Sequence, residues 1–219
     1  MLARVAFLSV ASAMRVSRRV AVIGGGSAGV TTARFLERAG HAPVIFEAGA
    51  SFGGVWADKP TNEVVYRGLQ TNLPTVVMQS PDLDFAPGVP SYITKRMLGE
   101  YIEAYGSKYE LRQCATFGAQ VTRVAPVDAA AGGDDDGASS PRPRWVVDWT
   151  TRGAEEARSD VFDAVAVASG HYSAPYLPSL PGEAAWLAGD PARRITHSGE
   201  RGVAANGTSS CGLMLVFLD

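Results

Sequence analysis

Residues 20–29 read Val20-Ala21-Val22-Ile23-Gly24-Gly25-Gly26-Ser27-Ala28-Gly29, a short apolar run that ends in a glycine turn. Further on, Val44-Ile45-Phe46-Glu47 closes on an acid and is followed by Gly53-Gly54-Val55-Trp56. The pattern describes a strand, a tight turn onto a helix N-terminus, and a carboxylate at the end of the next strand. That layout binds the ADP half of a dinucleotide. Gly24 permits the turn, Gly26 lets a pyrophosphate approach the backbone, and Gly29 lets the helix pack close to the sheet. The helix expected over residues 27–38 aims its unpaired N–H groups, starting at Ser27 and Ala28, and its positive dipole end at the phosphates. Glu47 lies about 20 residues past the turn, where a carboxylate accepts both hydrogen bonds of a ribose diol and repels a 2′-phosphate. The bound ADP moiety is therefore expected to be that of FAD or NAD, not NADP.

Bulk properties narrow the class further. The 219 residues, 46% of them hydrophobic, suffice for one sizeable core and part of a second. A net charge of −2 gives no electrostatic case for nucleic acid. Cys114 and Cys211 form no disulfide framework, and His41, His171 and His197 have no paired spacing, so no metal site is expected and a reducing, cytoplasmic location is the default. Residues 1–18 carry Arg4, Arg15 and Arg18 without an acid, around an apolar stretch too short to span a bilayer. Two readings stay open for them: a disordered or weak organellar targeting segment, or translation that begins at Met14.

Strands are expected at 20–24 and 43–47, joined by the helix. Residues 51–90, rich in Pro, Asn and aromatics, show little periodicity and read as a ligand-wrapping segment. Met97, Leu98, Tyr101, Ile102 and Tyr105 recur at helical spacing over 94–105, as core-facing residues do. Short strands follow at 120–124 and 145–150, around a low-complexity hairpin insert at 128–144 expected to be disordered. Residues 161–169 read as one returning parallel strand, whose end, Ser169-Gly170, meets the cofactor.

The ordered set Gly24-x-Gly26-x-x-Gly29, Glu47, Gly53-Gly54-x-Trp56, Leu69-Gln70-Thr71-Asn72-Leu73-Pro74, Pro81-Asp82, Phe162-Asp163 and Ser169-Gly170-His171-Tyr172-x-x-Pro175 closely resembles the flavin-containing monooxygenases. The resemblance runs from about residue 19 to 181, closer to the sulfide- and amine-oxygenating branch than to the auxin-synthesis branch. It implies an α/β fold class: a Rossmann-like FAD-binding domain over 19–182, with a parallel sheet and a small antiparallel β-hairpin or meander. It also implies FAD, reduction by NADPH, O₂, and a small nucleophilic substrate that attacks a C4a-hydroperoxyflavin. Carried over by residue, Gly24, Gly26, Ser27, Ala28 and Gly29 would hold the pyrophosphate and Glu47 the ribose. Val55, Trp56, Thr71, Leu73, Ser169 and Gly170 would line the flavin, and Asn72 would act as the catalytic amide. Two other readings stand beside these roles: Asn72 as a turn cap and Trp56 as a core aromatic.

The chain departs from that pattern after Pro181. No second strand-Gly-x-Gly-x-x-Gly follows, and Gly189, His197 and Arg201 form only a degraded echo of a further family signature. Residues 183–219 are expected as an irregular, truncated tail with the NADPH domain missing. The expectation is an N-terminal part of such an oxygenase; the alternative is a non-catalytic FAD-binding remnant.

Overall fold

The computed structural model describes residues 16–57, 65, 69–127, 143–154, 156–171, 176, 178–191, 193–197 and 213–215. The opening apolar run forms strand β1 (Arg19–Ile23), helix α1 spans Ser27–Arg38, and strand β2 covers Ala42–Glu47. Both strands are unbroken apolar runs because each is covered on both faces. Val22 and Ile45 turn one way, into a core with Val30 and Ala33 of α1 and Leu98, Ile102 and Tyr105 of helix α3 (Lys95–Lys108). Ala21 and Phe46 turn the other way, against Ala119, Val147, Trp149 and Phe162. Phe46 meets Trp149 at 4.7 Å between ring centroids and Phe162 edge-on at 5.8 Å.

The first sheet is parallel throughout and has the order β3-β2-β1-β7, with β3 at Ala115–Phe117 and β7 at Ala164–Val167. The second is an antiparallel meander of β4 (Ala119–Pro126), β5 (Trp145–Thr151) and β6 (Ala157–Phe162). Three layers result: helices, parallel sheet, meander. Among the described residues of 51–90, the short helix α2 (Thr75–Met78) and a 3-10 turn at Gly54–Trp56 are the helical elements.

Residues 161–169 correct the expectation of a single strand. Val161 and Phe162 finish β6, and Ala164 to Val167 then form β7, in a different sheet. Asp163 is the pivot: its N–H donates to the Arg19 carbonyl at 2.9 Å, and its carboxylate accepts the Arg19 N–H at 2.7 Å. One apolar run thus serves two sheets, which periodicity alone does not separate.

The tail also differs from the irregular one expected. Helix α4 covers Glu183–Ala188, and β8 (Ile195–His197) pairs in parallel with β9 (Leu213–Leu215) as a separate two-stranded sheet. Of the 128–144 insert only Pro143 and Arg144 are described, and the Val127 N–H closes its base on the Arg144 carbonyl at 2.8 Å. The expected disorder of 128–142, like residues 1–15 and Tyr172 to Pro175, lies outside the described residues. Among the described residues no helix is long and apolar enough to cross a membrane.

Candidate functional site

The glycine turn sits where the carboxyl ends of β1, β2 and β7 converge. The Gly24 N–H donates to Phe46 O at 2.8 Å, and the Ala168 N–H donates to Ile23 O at 2.8 Å. Gly24 has a φ of +107°, and a Cβ on it would overlap the Ala168 carbonyl. A Cβ on Gly29 would overlap the Gly24 carbonyl oxygen, so α1 starts hard against the turn. Gly26 differs, since its Cβ would find only Gly54, at 3.6 Å.

The α1 N-terminus has the chemistry of an anion cradle. Its N-cap, Gly26, supplies no side-chain hydrogen bond, and its first turn holds no acid. Ser27 and Ala28 are exposed, so the first-turn N–H groups face outward without an internal acceptor from the cap. A pyrophosphate fits this donor set.

Glu47 is buried, and both of its carboxylate oxygens are engaged. Oε2 accepts the Gly25 N–H at 2.6 Å and Oε1 the Gly49 N–H at 2.6 Å. Each oxygen keeps a lone pair for a ribose hydroxyl, while the backbone fixes the carboxylate against the turn. Glu47→Gln puts an amide nitrogen opposite one of those N–H groups. Hydrogen bonds to a charged acceptor are worth about 1.5–3 kcal/mol, so ADP affinity is expected to fall roughly tenfold to a hundredfold. Isothermal titration with ADP reads it; an unchanged affinity removes Glu47 from the site.

The Gly53-Gly54 pair packs against the glycine turn. The Gly53 N–H donates to Gly25 O at 2.9 Å, and both glycines have positive φ (126° and 60°). Val55 projects outward, whereas Trp56 is half-buried against the helix-side core, so it packs as a core aromatic along one side. Behind this loop α3 is notched: a Cβ on Gly99 would come within 2.5 Å of the Trp56 carbonyl oxygen, and one on Gly106 would overlap the Phe52 ring. Phe52 itself is fully buried and lies against Gly25. Sequence reasoning missed Phe52, Gly99 and Gly106. The available signal was two glycines seven apart inside a helical pattern, a spacing that places them on one helix face.

The Thr71-Asn72-Leu73 segment lies beside residues 91–93. Thr71 is buried; its N–H donates to Ile93 O at 2.8 Å, and its hydroxyl accepts the Ile93 N–H at 3.1 Å. Asn72 and Leu73 are exposed. The N-cap of α2 is Pro74 with no side-chain hydrogen bond, so Asn72 does not cap that helix. Downstream, Tyr101 holds the next turn, accepting the Ser80 N–H at 2.7 Å and donating to Leu83 O at 2.5 Å. Burial pushes the Tyr101 phenol up, with the Asp82 and Asp84 charges adding to it. Desolvation also pushes the Asp82 carboxyl up, but the Ser80 hydroxyl and the Tyr109 and Tyr105 phenols more than offset it.

Ser169 and Gly170 are exposed just past β7, with the Ser169 Cα beside Gly24. The structure thus brings Gly24, Gly26, Gly29, Glu47, Gly53, Gly54 and Ser169 together at the sheet's carboxyl edge. Burial, with the Glu37 charge nearby, pushes the Cys114 thiol up to about 11. Among the described residues no group of three His, Cys, Asp or Glu side chains could hold a metal ion.

The profile of the family described as flavin-binding monooxygenase-like matches residues 17–188. The chain belongs to the flavin-binding monooxygenase-like family. The flavin-containing monooxygenase FMO GS-OX2 of Arabidopsis thaliana is 30% identical over 192 residues, covering 78% of this chain and 39% of that protein. FMO GS-OX-like 2 from the same plant is 32% identical, again over 78% of this chain and 39% of the relative. Among solved structures, the S-allyl-L-cysteine S-oxygenase of Allium sativum superimposes with a TM-score of 0.65 at 28% identity, over 83% of this chain and 41% of that one. Tmm from Pelagibacter sp. strain HTCC7211 gives 0.63 at 25% identity, over 83% and 42%. This family member thus spans about 40% of the length of the relatives it matches.

Proposed function

We propose that this chain is the FAD-binding part of an NADPH- and O₂-dependent monooxygenase that oxygenates sulfur or nitrogen in a small nucleophilic substrate. The observation that carries the reading is the exposed Asn72, on a segment anchored at Thr71, in a chain whose glycine turn, helix N-terminus and Glu47 form a nucleotide cradle. Bound flavin supplies the hydride acceptance and oxygen activation. The protein's own groups do the rest. First-turn N–H groups from Ser27 and Ala28, beside Gly24, Gly26 and Gly29, hold the pyrophosphate, and Glu47 takes the ribose. Val55, Trp56, Thr71, Leu73, Ser169 and Gly170 flank the ring system. Asn72 presents a neutral amide that donates a hydrogen bond without releasing its proton, which suits it to hold a reactive oxygen. Sulfur oxygenation is favoured by the likeness to the S-allyl-L-cysteine S-oxygenase of Allium sativum, at 28% identity.

A second reading has its own support. Leu73, Val76, Val77 and Val167 are all more than half exposed, and apolar exposure of this kind favours the alternative, a non-catalytic FAD-binding remnant. Purification with FAD, followed by visible spectra with and without NADPH under air, separates the two. A bound flavin that bleaches with NADPH supports the oxygenase; bound but unreduced flavin supports the remnant. Failure to retain any flavin defeats both.

A further inference from the structure

Two residues of α3 and its C-terminal flank form a bridge to the nucleotide cradle that no contact within the cradle requires. Glu103 Oε2 accepts the N–H of Phe52 at 2.9 Å, across 51 residues of sequence. Its other oxygen, Oε1, takes the Arg112 Nε–H at 2.9 Å and the neighbouring guanidinium nitrogen at 2.7 Å. Arg112 is held in turn by the rings of Phe117 and Phe52, at 4.8 and 5.9 Å from its guanidinium carbon to their centroids. The next peptide, Gly53, donates to Gly25 O. Gly25 in turn donates to Glu47 Oε2. An unbroken polar path therefore runs Arg112, Glu103, Phe52, Gly53, Gly25, Glu47.

We propose that Glu103, oriented by Arg112, is a positioning residue that sets the Ser51–Phe52 peptide and, through the Gly53 N–H that follows it, the nucleotide-facing geometry of Gly25 and Glu47. The inference rests on the nucleotide-binding reading above and adds a residue outside the cradle to it. Packing does not account for the arrangement. The Glu103 and Arg112 side chains are 30% and 47% exposed, so the ion pair adds little stability by itself. Its geometry instead directs one carboxylate oxygen at a single backbone N–H, at the point where the chain enters the Gly53-Gly54 corner. Both Gly53 and Gly54 hold left-handed φ values there, so the peptide before them has to be fixed in direction.

The test uses the full chain and three variants: Glu103→Ala, Glu103→Gln and Arg112→Met. ADP and FAD dissociation constants are measured by isothermal titration, melting temperature by circular dichroism, and amide exchange at Gly53 and Gly25 on the ligand-free protein. Glu103→Ala is expected to weaken ADP and FAD together by roughly five- to tenfold, the scale of one or two lost hydrogen bonds, and to speed exchange at Gly53. Glu103→Gln keeps an amide oxygen for the Phe52 N–H but turns its NH2 toward the Arg112 guanidinium and loses that pairing, so a loss of about two- to threefold is expected, well short of Glu103→Ala. Should Glu103→Ala not fold, Arg112→Met carries the test, with a two- to threefold loss expected because the carboxylate remains but is no longer oriented. A lower melting temperature with unchanged affinities overturns the proposal, as does a Glu103→Gln variant as weak as Glu103→Ala. Wild-type protein that binds neither ADP nor FAD defeats the nucleotide reading itself, and Gly53 exchange then tests the Glu103 contact alone.

Discussion

Alanine in place of Phe52 is expected to lower the free energy of unfolding by about 3–5 kcal/mol, read as a shift in the urea midpoint. The side chain is 1% exposed and belongs to the helix-side core. Its ring sits in the notch of Gly106, stands 4.9 Å from the Phe117 ring and presses on Gly25. Truncation therefore leaves a cavity between α3 and the glycine turn, and a domain with a margin of only about 5–15 kcal/mol feels it strongly. Phe52→Leu, which retains most of the volume, is expected to cost less than half as much. Equal costs for the two would mean that the ring shape, not the filled volume, is what matters.

Gly29→Ala carries the second large effect, and it should act on binding as well as on stability. The added methyl would overlap the Gly24 carbonyl oxygen, a backbone atom held by its own place in the turn. Nothing flexible lies in the way, so the helix itself has to move, at a cost of about 1–3 kcal/mol or more. On the proposed reading, the movement would take the exposed N–H groups of Ser27 and Ala28 away from the pyrophosphate. ADP and FAD affinities are expected to fall at least about tenfold, which corresponds to 1.4 kcal/mol. A Gly26→Ala variant provides the contrast. Its methyl meets no close protein atom, so the fold should keep its stability while binding suffers. If Gly26→Ala binds ADP as wild type does, the space above Gly26 is not where the pyrophosphate sits.

The two variants also mark what could be read from the sequence. Gly24, Gly26, Gly29 and Glu47 were legible because their spacing is imposed by one local unit, a strand, a turn and a helix, whose geometry repeats wherever it occurs. The 27–38 helix was legible to the residue for the same reason. The strand change at Asp163 was not, since an apolar run buried in one sheet looks like an apolar run buried in two. Phe52, Gly99, Glu103 and Gly106 were not legible either. Their roles arise from contact between segments about 50 residues apart, and within α3 two glycines and a glutamate look like ordinary or mildly unfavourable helix residues. Asn72 stands between these cases: its motif was legible, whereas its exposure beside a pinned Thr71 required the fold.

The glycine turn is written in ten consecutive residues but is completed by backbone far along the chain. Gly24 needs the Ala168 and Ser169 backbone beside it, and β1 needs Asp163, 144 residues from Arg19. Closing so long a loop is entropically slow, so the sheet's last pairing, β1 with β7, should form after the meander has folded behind it. Nucleotide capture during refolding would then be a timer for the whole molecule: a chain that holds ADP has already paired β1 with β7.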